Sequence, residues 1–257
     1  MKKPVTLYIL LLALSIGVLF LLNLFLGSVD IPFRSIWNIL LGMDEGESVI
    51  WQNIIWKSRV PQALTAMVAG AGLAVSGLQM QTVFRNPLAG PSVLGISSGA
   101  SLGVAFVVLL SGSIGGIALS RLGFMGEIAL TMAAIIGALS IMALIVYVSQ
   151  KVHGNVTLLI IGVMIGYVAN AVIGVLKFFS VEEDIRAYVI WGLGSFARVS
   201  GNQMMVFVCI MAVLLPLSFL LIKTLNLLLL GDAYARNLGL NIKRARLQVI
   251  ACSGVLV

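Results

Sequence analysis

Six stretches of this chain run for about 20 residues or more with no charge except at their ends. They are Leu7 to Gly27, Val60 to Phe84, Val93 to Gly112, Met125 to Ser149, Val156 to Phe178 and Gln203 to Ile222. About 20 mainly apolar residues in a helix cross roughly 30 Å of hydrocarbon. In lipid every backbone amide must be satisfied inside its own segment, which leaves helices or a closed barrel. The alternating pattern of a membrane barrel is absent, so the runs read as transmembrane helices. A seventh run, Gln248 to Val257, is apolar but too short to cross. The expected fold is all-α, a polytopic helical bundle of six full spans and the start of a seventh.

Composition agrees. Only 10% of the 257 residues are charged and 60% are hydrophobic, with a mean hydropathy of +1.13. A soluble domain carries about 25% charged residues. The net charge of +7 could suggest a nucleic-acid partner, but the basic residues sit at the ends of apolar runs and form no patch with interleaved aromatics. No nucleic-acid partner is expected; the lipid bilayer is. Cys209 and Cys252 lie apart in apolar segments with no metal-ligand spacing, so they read as packed, reduced thiols. The first run is too long for a signal peptide's apolar region and no small-residue cleavage site follows it, so it reads as an uncleaved span.

Charge placement gives an orientation. With the N-terminus inside, the inner side holds Lys2, Lys3, Arg85, Lys151, Lys223, Arg236, Lys243, Arg244 and Arg246 against Asp232 alone. The outer side then balances seven bases with eight acids. The dense basic cluster from Lys223 to Arg246, in a short loop, follows the positive-inside rule. The N-terminus is expected in the cytoplasm.

Two connections are too long for turns. Ser28 to Ser58 carries Trp37, Trp51 and Trp56 among aliphatic residues, the pattern of an amphipathic segment lying at the outer membrane surface. Lys223 to Leu247 contains Gly231-Asp-Ala-Tyr-Ala-Arg-Asn-Leu-Gly239. This can form a short helix with a glycine stop, a docking element rather than a tether.

Small residues recur four apart at Gly70 and Ala74, Gly72 and Ser76, Gly95, Gly99 and Gly103, and again at Gly162, Gly166, Asn170 and Gly174. Such faces let membrane helices approach closely, and packing alone accounts for any single glycine. Packing does not account for Arg85-Asn86-Pro87-Leu88-Ala-Gly-Pro91, a polar turn whose prolines keep it from being helical.

The stretch Arg59-Val-Pro-Gln-Ala-Leu through Gly70-Ala-Gly-Leu-Ala-Val-Ser-Gly-Leu-Gln, Arg85-Asn-Pro-Leu-Ala-Gly-Pro and Leu94-Gly-Ile-Ser-Ser-Gly-Ala-Ser-Leu-Gly closely resembles the FecCD-type permeases. These are the membrane subunits of bacterial importers for ferric siderophores, haem and vitamin B12. Leu228-Leu-Leu-Leu-Gly-Asp-Ala-Tyr-Ala-Arg-Asn-Leu-Gly-Leu resembles a second family motif, and the likeness runs from the first span to the last residue. It implies a non-catalytic subunit of an ABC importer in the bacterial inner membrane, without a cofactor or metal of its own. The implied partners are cytoplasmic ATPase subunits, a periplasmic or lipoprotein substrate-binding protein, and a second permease copy, identical or paralogous. Family members have about ten spans. The family's later stretches do not occur here, so the chain is expected to be one permease domain, residues 1–257, incomplete at its C-terminus, with a coupling loop at about 224–247.

The resemblance also assigns residues. It places Arg59 at the outer face to meet an acid of the docked binding protein. Gln62 stands where relatives have a second arginine. Gly231, Asp232, Ala235, Arg236, Leu238 and Gly239 fall in the helix that enters a groove of the ATPase. Asn155 and Val156 fall at a cytoplasmic gate, although Val156 is more apolar than that pattern. Gly162, Gly166 and Asn170 are candidates for the pathway, and Arg85, Asn86, Pro87 and Leu88 form the motif loop. Two rivals remain. An ion-coupled secondary transporter would carry mid-membrane charges, and no span here has one near its middle. An intramembrane enzyme would need a catalytic cluster, and the sole histidine, His153, has no partner in view.

Overall fold

The computed structural model describes residues 5–43, 46, 48–115, 124–152 and 155–257. Every regular element among them is helical: α1 (Val5–Phe25), α2 (Phe33–Leu40), α3 (Val49–Ile54), α4 (Val60–Phe84), α5 (Ile96–Gly115), α6 (Phe124–Lys151), α7 (Asn155–Phe178), α8 (Glu182–Gly192), α9 (Gly201–Ser218), α10 (Ile222–Leu229), α11 (Asp232–Asn237) and α12 (Ile242–Leu256). Five helical stretches are long and apolar enough to cross a membrane: Val5–Phe25, Val49–Phe84, Met125–Lys151, Val156–Phe178 and Gly201–Leu229. The 20-residue α5 contributes a further apolar stretch, Ile96–Leu110. His153 lies outside the described residues.

Two boundaries differ from the sequence reading. Trp51, Ile54 and Trp56 do not form a separate surface segment. A π-helical turn, Ile55–Arg59, joins α3 to α4, and the whole of Val49–Phe84 is one 36-residue helical stretch. The reason is Pro61, which has no N–H for the carbonyl four residues back and whose ring would clash with it. The widened turn relieves this, with the Val60 N–H reaching back five residues to the Ile55 carbonyl. The third expected span begins late, after a 3-10 turn, Pro91–Leu94, and its apolar stretch Ile96–Leu110 is shorter than the five membrane-length ones.

The chain forms two compact units, residues 1–70 with 195–210, and residues 71–194 with 211–257. In the first, α2 buries Ser35, Ile36 and Ile39. Ile36 and Ile39 pack with Ile31 and Ile55 against Phe25, Trp51 and Val60. Phe33 stacks on Phe25 with ring centroids 4.6 Å apart.

The second unit is organised by α5. Against α6 its glycines meet backbone. A Cβ on Gly99 would fall 2.7 Å from the Gly137 carbonyl oxygen, and one on Gly103 would run into the Ala133 carbonyl. Lipid tails are as apolar as leucine, so these helices associate through close packing, not through exclusion of water. Of the expected small-residue stripes, Gly72, Gly95, Gly99 and Gly103 also lie close against backbone, that of Gly162 and Gly166 in the case of Gly95. At Gly70 and Gly174 a Cβ would meet nothing within 4 Å among the described residues. Toward the other end of α5, Val104, Ala105, Val108 and Leu109 form a core with Ile173 and Tyr188. Cys252 is partly buried, whereas Cys209 is exposed rather than packed.

A methyl group at position 103 must push the α6 backbone away, an overpacking cost of about 1–3 kcal/mol. Gly103→Ala is expected to lower the thermal unfolding midpoint in detergent. Gly77→Ala, where nothing lies within 4 Å, is expected to leave it unchanged or raise it. Equal midpoints for the two variants would contradict the α5–α6 packing.

Candidate functional site

The loop after α4 is built by its polar residues. Arg85 takes φ +48°, a left-handed conformation costly for a residue with a Cβ, and this ends the helix. The Asn86 N–H closes back onto the Gln81 carbonyl at 3.2 Å, and the Asn86 side chain accepts from the Leu88 N–H at 2.9 Å. Pro87 follows without needing a donor site. Ala89 and Leu94 turn into the core, while Leu88 is left 87% exposed.

Near this loop lies α11, entered through Gly231 at φ +108° and closed by Gly239 at φ +86°. The Gly239 N–H bonds the Arg236 carbonyl and the Leu240 N–H the Ala235 carbonyl, each at 2.9 Å, as in a glycine-terminated helix end. Asp232, in the first turn, holds the loop and α12 at once. Its Oδ1 accepts from Arg85 Nη2 and its Oδ2 from Arg246 Nη2, each at 2.5 Å. Arg85 Nε also donates to the Leu228 carbonyl at 3.3 Å. The Asp232 side chain is 39% exposed, so water screens both pairs to about 1 kcal/mol or less each. Their effect is on geometry more than on stability.

Ala235 was expected on the docking face of α11, but it is fully buried, with 0% exposure. It packs in one core with Ala89, Leu94, Leu228, Ala245 and Val249. The exposed apolar residues of this segment are Ala233, Tyr234 and Leu238, with Arg236 beside them. Residues two apart fall on different faces of a helix, so Ala233 is exposed while Ala235 turns into the core.

A third feature sits between the start of α5 and α7. Ser92, Gly95, Ser98, Gly162, Val163, Gly166, Tyr167 and Asn170 line a recess of about 160 Å³. Gly95 adopts φ +72°, and a Cβ there would stand 3.2 Å from both the Gly162 carbonyl oxygen and the Gly166 nitrogen. The recess is smaller than the roughly 300–1,000 Å³ of drug-sized ligand sites, so it can shape a passage wall but cannot enclose a large chelate. Gly162, Gly166 and Asn170 are brought together here. Val156 is exposed, and the side chain of Asn155 lies outside what the structure describes. Ser92, Ser98 and Tyr167 were not singled out from sequence, since an isolated serine or tyrosine carries no spacing signal.

In the first unit Arg59 is 4% exposed, not the outward arginine expected. Its Nη1 donates to the Leu24 carbonyl at 2.6 Å and the Phe25 carbonyl at 3.2 Å, and its Nη2 to the Val29 carbonyl. The last carbonyls of a helix lack intrahelical donors, and a cation there also suits the helix dipole. Arg59 thus caps α1. Gln62, one turn along, is half-buried.

On α8, Asp184 is 7% exposed and its Oδ2 has no hydrogen-bond partner among the described residues. Burial first, and the neighbouring Glu183 carboxylate second, push its carboxyl above the usual carboxylate range.

The model of the FecCD transport family matches residues 12–257. The chain is a member of the FecCD family. It is 35% identical over 233 residues to the hemin transport system permease protein HmuU of Yersinia pestis, covering 90% of this chain and 66% of that protein. It is 35% identical over 251 residues to the vitamin B12 import system permease protein BtuC of Serratia proteamaculans, covering 97% and 69%. The chain thus spans about two thirds of the length of these FecCD relatives. A solved inward-facing structure described as a metal-chelate type ABC transporter superposes with a TM-score of 0.76 at 28% identity, covering 95% of this chain and 71% of that one. As a FecCD-family protein with several membrane-length apolar helices, it is a multi-pass membrane protein.

Hydrogen bonds to a charged group contribute about 1.5–3 kcal/mol each when desolvated. Arg59→Met should therefore lower the unfolding midpoint of the protein in detergent even with no partner present, and Arg59→Lys should recover part of the loss. A midpoint equal to wild type would show that Arg59 is free to act elsewhere. For Asp184 the sign runs the other way from a paired carboxylate. A raised folded value means the contribution is fully present below the unfolded carboxyl value and is lost as pH rises through the folded one. Asp184→Asn is expected to raise the midpoint at neutral pH, with the gain shrinking as pH falls toward about 4. A constant difference across that range would rule out the buried carboxyl as its source.

Proposed function

We propose that this chain is a membrane-spanning permease subunit of an ABC importer that carries a haem-, cobalamin- or ferric-siderophore-type chelate across the bacterial inner membrane. The observation that carries the reading is the FecCD match over residues 12–257, to which the relatives' printed roles in hemin and vitamin B12 import add a substrate class. In this reading the chain hydrolyses nothing. A separate cytoplasmic ATPase drives transport, a binding protein delivers substrate from outside, and a second permease copy, identical or paralogous, completes the passage.

The N-terminus is assigned to the cytoplasm, which puts Arg85, α11 and the basic start of α12 on the ATPase side. Positive-inside charge placement supports this. On α11 the exposed Tyr234, Arg236 and Leu238 would meet the ATPase, Gly231 and Gly239 would set the bend at either end, and Ala235 would anchor the helix from behind. The recess with Gly162, Gly166 and Asn170 would form part of the passage wall, with Asn155 and Val156 at its cytoplasmic mouth. Arg59 would serve binding-protein docking indirectly, by fixing the backbone from Leu24 to Val29.

The test is reconstitution. The full-length protein, tagged and co-expressed with an ABC ATPase and a substrate-binding protein from the same source, should co-purify with the ATPase. In proteoliposomes it should accumulate chelate only with ATP and binding protein. Uptake that needs no ATPase and collapses with an ionophore would instead establish an ion-coupled carrier.

A further inference from the structure

We propose that Asp232 is a positioning residue that ties the ATPase-facing helix α11 to the wall of the transport recess, by way of Arg85 and the segment Arg85–Gly95. The inference rests on the importer reading above and adds the route by which α11 reaches the passage.

The route is physically continuous. Asp232 Oδ1 holds Arg85 at 2.5 Å, and the opposite oxygen holds Arg246 of α12 at the same distance. Arg85 sits at φ +48° without being glycine. Such a conformation persists where surrounding contacts over-determine it, and here those contacts are Asp232 and the Leu228 carbonyl. The segment it begins does not hang free. Ala89 and Leu94 are buried in the same core as Ala235 of α11 and Val249 and Ile250 of α12. Ten residues on, the segment ends at Gly95 against α7, where a Cβ would stand 3.2 Å from the Gly162 carbonyl oxygen and the Gly166 nitrogen. Backbone meets backbone there, with no side chain between to absorb a shift by changing rotamer. Ser92, Gly95, Gly162 and Gly166 all line the recess. A displacement of α11 is thus carried through one ion-pair clasp and one packed core to the recess, as energetic coupling through packed elements requires.

Two partly exposed ion pairs suit this role. They hold position without locking it, and they add a directional link that the apolar core alone does not supply. Arg246 on the far side of the carboxylate keeps Asp232 aimed when the Arg85 loop moves.

The experiment uses the full-length protein with its ATPase and binding protein in proteoliposomes, with the native Cys209 and Cys252 replaced by serine. Asp232→Asn, Arg85→Gln and the double variant are scored on complexes that co-purify with the ATPase, as chelate taken up per ATP hydrolysed. Each single variant is expected to lower that ratio about two- to fivefold, the scale of one screened ion pair, and the double variant to be no worse than the poorer single, because all three break one link. A fluorophore on Ser92→Cys should report a nucleotide-dependent change in the recess that either single variant abolishes and Asp232→Glu restores in part. Normal coupling ratios in both single variants would overturn the proposal. So would additive losses, or a nucleotide response that persists in Arg85→Gln. If Asp232→Asn fails to assemble while Arg85→Gln couples normally, Asp232 only supports the fold and the route is refuted. Failure of the wild-type protein to bind the ATPase at all is a different outcome, and overturns the importer reading itself.

Discussion

The approach of α5 to α6, glycine against backbone, sets the register of the second unit. In a membrane, apolar side chains gain little by leaving lipid for protein, so helix pairs are held by how closely their backbones fit. Gly99 and Gly103 of α5 and Gly137 of α6 form that fit. With α5 fixed, its N-terminal end delivers Gly95 onto α7, and its other end delivers Val104, Val108 and Leu109 onto Ile173 and α8. The recess and the α8 core are consequences of one helix held in one position.

Polar contacts then hold the ends and seams. Ser76 of α4 and Ser253 of α12 share a hydrogen bond of 2.5 Å, both fully buried, and Gln79 reaches the Cys252 sulfur at 3.5 Å. Such interhelical bonds average only about 0.6 kcal/mol in a bilayer, because the separated helices also find partners. Their value lies in excluding other registers of α12 on α4. Gln79 Oε1 is buried without a partner among the described residues, so this seam is not optimised for stability.

The spans were legible because lipid imposes one period and one minimum length, and those are properties of short windows. The Gly95, Gly99 and Gly103 stripe was legible for the same reason, while its counterpart Gly137 was not, since a lone glycine in an apolar run has no pattern. Residues whose role depends on what lies across a gap were misread. Arg59 precedes a span and reads as an outward charge, yet its partners are carbonyls some 30 or more residues earlier in the chain. Ala235 reads as part of an apolar docking face until the core behind α11 is known. The bond between Arg85 and Asp232 joins residues 147 apart, which no local spacing can announce. The FecCD resemblance marked both segments but did not say that they touch.

That contact decides how the basic end of the unit works mechanically. A core of Ala89, Leu94, Ala235 and Val249 resists compression, because protein interiors are close-packed, but apolar faces can slide past one another at small cost. A carboxylate bridging two guanidinium groups resists sliding, because each bond is directional and weakens steeply when misaligned. Core and clasp together leave α11 and the Arg85–Gly95 segment few ways to move except as one piece. The same screening that makes the clasp a poor source of stability lets it re-form after each displacement, which is what a repeatedly cycled link requires. An apolar replacement of the three charges would stiffen the core without supplying that directional hold.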